Sequence, residues 1–179
     1  MDHRDAALEL RPSALQPSLA RRAGAGAWTL AGLALVGLGI SAYLTAVHYA
    51  GVGLICSSGG IVNCAAVTSS SYSLVPGTTV PITVPGMIWF VVSGGMAVTA
   101  LMRDRADRVE PLWIRPAQAA WAALGLAACL YLVYAEVVVL HEICEWCTAI
   151  HLVVLITTVL TLARLAPPAG VTQPEPPGD

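Results

Sequence analysis

Residues 144–165 read CEWCTAIHLVVLITTVLTLARL, a Cys-x-x-Cys pair followed by an apolar run that carries no charge until Arg164. A run of this kind approaches the roughly 20 residues that a helix needs to cross a hydrocarbon core of about 30 Å. If the helix begins near Cys144, the thiols of Cys144 and Cys147 lie three residues apart on one face, and His151 falls four residues past Cys147 on the same stripe. A thiol in the first turn is close to unsatisfied backbone N–H groups and to the positive end of the helix dipole, which favours thiolate. Thiolate is the form that attacks disulfides or binds soft metals. The stretch therefore argues for a membrane helix and leaves three readings of the cysteines open: a redox pair, a metal site or neither.

Working outward, the same apolar pattern recurs. With 146–165 there are four such runs, at about 27–50, 85–102 and 117–140, in a chain that is 56% hydrophobic, 11% charged and free of lysine. A soluble domain of this size has no need of four. The expected architecture is an all-α integral membrane protein, a four-transmembrane-helix bundle over residues 27–166 with an extracytoplasmic lid at 51–84 between helices one and two. Residues 1–26 and 167–179, rich in Pro and polar residues, read as disordered tails.

The arginines suggest the orientation. Arg4, Arg11, Arg21 and Arg22 precede the first run, Arg103, Arg105, Arg108 and Arg115 lie between the second and third, and Arg164 ends the fourth. The other two loops have no basic residue other than histidine, so the positive-inside rule predicts a multi-pass protein of the cell membrane with both termini cytoplasmic. Cys56, Cys64, Cys144 and Cys147 then face the outside, where disulfides are expected. The first run is too long for the core of a signal peptide and reads as a retained helix. Its Gly32, Gly37 and Gly39 are expected to permit close helix approach.

The lid is unusual because it is long and wholly uncharged, with a serine cluster at 69–71. Such a loop is expected to fold over the outer mouth of the bundle. Cys129, near the middle of the third run, reads as a small apolar filler. Glu136 is expected near the edge of the hydrocarbon, snorkelling outward. His48 reads as a polar tip at the interface. No phosphate-cradling loop, Ser/His/Asp pattern or basic aromatic surface is present, and no nucleic-acid partner is expected.

Two cysteine pairs on one oxidising face permit thiol–disulfide exchange in series, in which one pair takes electrons from a soluble protein and the other discharges them. An inner pair at the lip of an apolar bundle points to a lipid-soluble quinone as the acceptor. The alternative is a cysteine-based soft-metal binding or transport protein. It fits less well, because the Cys-x7-Cys spacing is loose for a zinc site and the lid offers no acidic or histidine ligand.

Cys56 and Cys64 after helix one, Ser69 and Ser70 shortly after, Pro85-Gly86 opening helix two and Cys144-x-x-Cys147 opening helix four together resemble the vitamin K epoxide reductase family. The resemblance covers about residues 28–165. The DsbB family of quinone-linked disulfide generators has its Cys-x-x-Cys in the first outer loop instead. The resemblance implies a thiol–disulfide oxidoreductase that oxidises an exported thioredoxin-like (DsbA-like) partner and reduces a membrane quinone of menaquinone or ubiquinone type. It implies that Cys56 and Cys64 are the shuttle pair, that Cys64 exchanges with Cys144, and that Cys147 meets the quinone, with no metal. Ser70 and His151 join Cys147 as expected quinone-site residues. The chain departs from the animal enzyme at His151, where that enzyme has tyrosine, and at Ile82, where it has asparagine. It departs from many bacterial members at Ser57, where they carry aspartate.

Overall fold

The computed structural model describes residues 3–57, 59–106 and 113–165, with side chains from Gly26 onward. Helix α1 runs over His3–Ala50, with the apolar span Gly26–Ala50. A short α2 (Cys64–Ser69) and a 3-10 turn (Ser71–Ser73) belong to the lid. Helix α3 spans Thr83–Arg105. Helix α4 covers Ile114–Tyr134 and continues as a π-turn over Ala135–Leu140, and α5 covers Glu145–Ala163. Four of these are long and apolar enough to cross a membrane, and no strand occurs among the described residues. The protein is thus a four-helix membrane bundle, as the hydropathy pattern predicts.

The membrane spans start within a few residues of the expected positions, the first at Gly26, and the backbone of α1 is helical from His3. The segment 167–179 and part of the loop carrying Arg108 lie outside the described residues.

Aromatic rings fill the interior, and two glycines admit them. A Cβ on Gly37 would lie 2.1 Å from the Phe90 ring, and one on Gly125 would lie 2.4 Å from Trp89. Trp89 donates its indole N–H to the Trp121 carbonyl at 3.0 Å, and Trp121 donates to Ser93 Oγ at 3.2 Å, which stitches α3 to α4. Gly32 and Gly39, expected to serve close packing, face open space. Cys129 packs in this core with Trp89, Phe90, Val153 and Val154, as a filler should.

The ends of the bundle differ. At one end Arg105 lies 5.4 Å from the Trp28 ring, and Arg164 approaches Gly26. At the other end lie the lid, the start of α5 and all four paired cysteines.

Candidate active site

Helix α5 begins at a cysteine because the cysteine caps it. Cys144 is the N-cap in extended backbone, and its sulfur accepts the Cys147 N–H at 3.4 Å. Its side chain is fully buried. It lies just before the membrane span, and its thiol is held below the ordinary range, chiefly by the Cys147 thiol donating to it and further by the Cys147 and Trp146 backbone amides. Cys144 and Cys147 are free thiols.

The lid brings the other pair to this point. Cys56 and Cys64 form a disulfide with a Cα–Cα distance of 6.3 Å. Cys64 is the first residue of α2, which starts there because Asn63 Oδ1 accepts the Ala66 N–H at 3.1 Å. Just upstream the lid reverses through Gly60, whose φ of 60° suits glycine. The returning segment then pairs with the turn before α5: Ile143 donates to the Ile61 carbonyl at 2.8 Å, and Asn63 donates to the Ile143 carbonyl at 3.0 Å. These two main-chain bonds set Cys64 and Cys144 in one buried cluster with Val67, with Cys56 and Cys147 packed against it.

The Cys56 arm is held by the residues between the inner cysteines. Ser57 donates its amide at 2.9 Å and its hydroxyl to the two carboxylate oxygens of Glu145. Trp146 donates its indole N–H to the Ile55 carbonyl at 2.8 Å and packs on Tyr43 at 5.0 Å between ring centroids. The spacers of Cys-x-x-Cys therefore clamp the lid. A Glu145 oxygen and the sulfurs of Cys56 and Cys64 lie within 4.8 Å of one another. Those sulfurs are joined to each other, so they are not thiolate ligands for a metal.

Glu136 corrects an expectation. It does not snorkel; it is 5% exposed, and its Oε2 accepts the Cys144 N–H at 3.3 Å. Cys147 lines the same small pocket as this carboxylate. The physical cause is the π-turn that begins at Ala135 and ends in His141, which adopts the left-handed conformation at φ 55°. A π-turn spends an extra residue, so the face it presents differs from that of a straight α-helix.

Inside the bundle, a cavity of about 330 Å³ reaches Cys147. Its walls include Phe90, Leu124, Cys129, Ile150 and His151. Ser41, 1% exposed, also lines it, and the Ser41 hydroxyl has no hydrogen-bond partner among the described residues. Ser70 is not among its lining residues. The Ser70 hydroxyl bonds the Val67 carbonyl at 2.7 Å at the end of α2, and the residue lines a separate pocket of about 70 Å³ under the lid, shared with Cys147 and Glu136. The neighbouring hydroxyls of Ser69 and Ser73 likewise bond lid carbonyls, which is how an uncharged lid satisfies its own backbone.

Ser41, Glu136, Glu145 and Trp146 were not singled out as site residues by the sequence reading. A carboxylate within an apolar run is a functional signal by default, and that signal could have found Glu136. Nothing in the sequence marks Ser41.

A family model described as Vitamin K epoxide reductase family matches residues 28–162. No curated protein matches the chain.

Proposed function

The chain belongs to the vitamin K epoxide reductase family, and from that premise we propose that it is a quinone-linked generator of disulfides in exported proteins. The family makes it a membrane disulfide oxidoreductase; the partner, the acceptor and the roles of the cysteines are our reading. Residues 27–166 form the catalytic unit, in the cell membrane with both termini cytoplasmic.

A thioredoxin-like (DsbA-like) protein presents a dithiol, and its thiolate attacks Cys56, the less buried lid sulfur. Exposed Ile55 and Ile61 flank the disulfide and offer an apolar landing surface. Cys64 leaves as thiolate beside Cys144 and attacks it when the inner pair is a disulfide, so that Cys147 is released toward the cavity. Cys147 is the electron exit. When bound, a quinone supplies a two-electron, two-proton acceptor. The chain's residues fit such a group: the cavity wall is largely apolar, Cys147 reaches it, and the buried Ser41 hydroxyl lacks, among the described residues, a partner that a carbonyl oxygen would provide. His151, on the same wall, can donate to a second carbonyl.

The observation that carries this reading is the continuity from the lid disulfide through Cys144 to a cavity bordered by Cys147. The soft-metal reading loses ground because the lid sulfurs form a disulfide. The test uses purified protein with reduced cysteines and a short-chain menaquinone or ubiquinone, following hydroquinone formation and thiol loss. Wild type and Cys56→Ala should reduce the quinone, Cys147→Ala should not, and only wild type should sustain turnover with a reduced thioredoxin-like protein. Folded wild type that reduces neither quinone would refute the proposal.

A further inference from the structure

Glu136 is a buried carboxylate beside both members of the inner pair: its Oε2 accepts the Cys144 amide at 3.3 Å, and it lines one small pocket with Cys147. A group needed only to accept one amide N–H could be a neutral amide, at far lower desolvation cost in a membrane-spanning helix. Its surroundings also suit traffic of protons. On one side it lines the lid pocket that includes His48, Ser70 and Tyr72. On the other it lines an apolar groove with His151, which also borders the main cavity.

We propose that Glu136 is the proton carrier of the inner pair: it takes the Cys147 proton when that thiol is oxidised and returns one when Cys147 leaves a disulfide. The inference rests on the quinone-linked reading for its last step. In that step Cys144 enters as thiolate and Cys147 as thiol. An S–S bond forms between them, and the electron pair goes to the quinone. The Cys147 proton passes to Glu136 and, by way of His151, to one quinone oxygen. The second proton comes from the outer aqueous side, where Cys144 had released its own. In the opposite phase the Cys64 thiolate attacks Cys144, the Cys144–Cys147 bond breaks, and the departing Cys147 sulfur takes a proton from Glu136. Glu136 is reloaded from outside through the lid pocket.

The test compares Glu136→Gln, which keeps an acceptor for the Cys144 amide at similar volume, with Glu136→Asp, which keeps the carboxylate. In quinone-free protein, reduction of the inner disulfide by a small dithiol and alkylation of Cys147 by a neutral maleimide in a Cys144→Ser background should both slow about 100-fold in Glu136→Gln, the lower range of general acid–base effects. Glu136→Asp should recover part of the rate, and exchange between the lid and a thioredoxin-like dithiol should stay at the wild-type rate in both. Wild-type rates in Glu136→Gln would overturn the proposal. So would an equal loss in lid exchange, which would make Glu136 a structural residue. If quinone-free rates depend on Glu136 while wild type reduces no quinone, the proton-carrier role stands and the quinone reading falls.

Discussion

Replacing Trp146 with Phe isolates a single strut of the lid. The indole N–H donates to the Ile55 carbonyl at 2.8 Å, while the ring body packs on Tyr43 at 5.0 Å. Phe keeps an aromatic ring against Tyr43 and deletes the donor. The net value of one such hydrogen bond is about 1 kcal/mol. It should not be more, because Ile55 is 82% exposed and water can take its carbonyl once the indole is gone. A loss of about 1 kcal/mol lowers the docking constant of the Cys56 arm roughly 5-fold. The Ser57 amide reports on this arm, since it is bonded to Glu145 in the docked state. Hydrogen exchange at Ser57 should therefore accelerate about 5-fold. The Cys64 arm is tied elsewhere, through Asn63, Ile61 and Ile143. The yield of a Cys64–Cys144 disulfide in a Cys56→Ala background should then change little on adding Trp146→Phe. Unchanged exchange at Ser57 would refute the strut, and a parallel collapse of the Cys64–Cys144 yield would refute the independence of the two arms.

Other expectations follow from the same geometry. Because Cys144 has a lowered pKa in the folded protein, its alkylation by a small haloacetamide in a lid-open Cys64→Ala variant should titrate below the ordinary thiol value of about 8.5, and Cys147→Ala should move the midpoint upward. The sign for stability follows: with reduced cysteines, this thiolate contributes its full stabilisation above the unfolded pKa and loses it as pH falls through the folded one, which denaturant melts at stepped pH can read. Ser41→Ala leaves no unsatisfied hydroxyl, so thermal stability should hold or rise slightly, while the quinone KM should increase about 3- to 10-fold for one lost hydrogen bond. Gly125→Ala places a Cβ 2.4 Å from the Trp89 ring, so it should destabilise the bundle by about 1–3 kcal/mol and lower the Tm in detergent.

The sequence discloses the spans because lipid-facing and protein-facing residues of a membrane helix are both apolar, which makes the run itself conspicuous. The same uniformity hides which face points inward. Leu130 and Tyr131 on α4 are exposed, whereas Cys129 and Glu136 are buried, and no periodic pattern separates them. Estimating the depth of Glu136 from a regular rise per residue also presupposes a regular helix, and the π-turn over Ala135–Leu140 breaks that assumption without a glycine or proline to announce it. Pairing within the lid was legible through the resemblance, in which Cys56 and Cys64 match the loop pair, and the two form a disulfide. The clamp formed by Glu145 and Trp146 was not, since its partners Ser57 and Ile55 are 88 and 91 residues away in sequence. Ser69 or Ser70 resembles a family serine, and the Ser70 hydroxyl is engaged at the end of α2.

The placement of that clamp inside the Cys-x-x-Cys ties two properties together. The dipeptide Glu145-Trp146 contributes backbone to the turn that stabilises the Cys144 thiolate, and its side chains grip the Cys56 arm. Any exchange of these two residues that retunes the driving force of the inner pair also alters how long the lid dwells closed. On the proposed function, the thermodynamics of electron transfer and the timing of partner access would share one dipeptide.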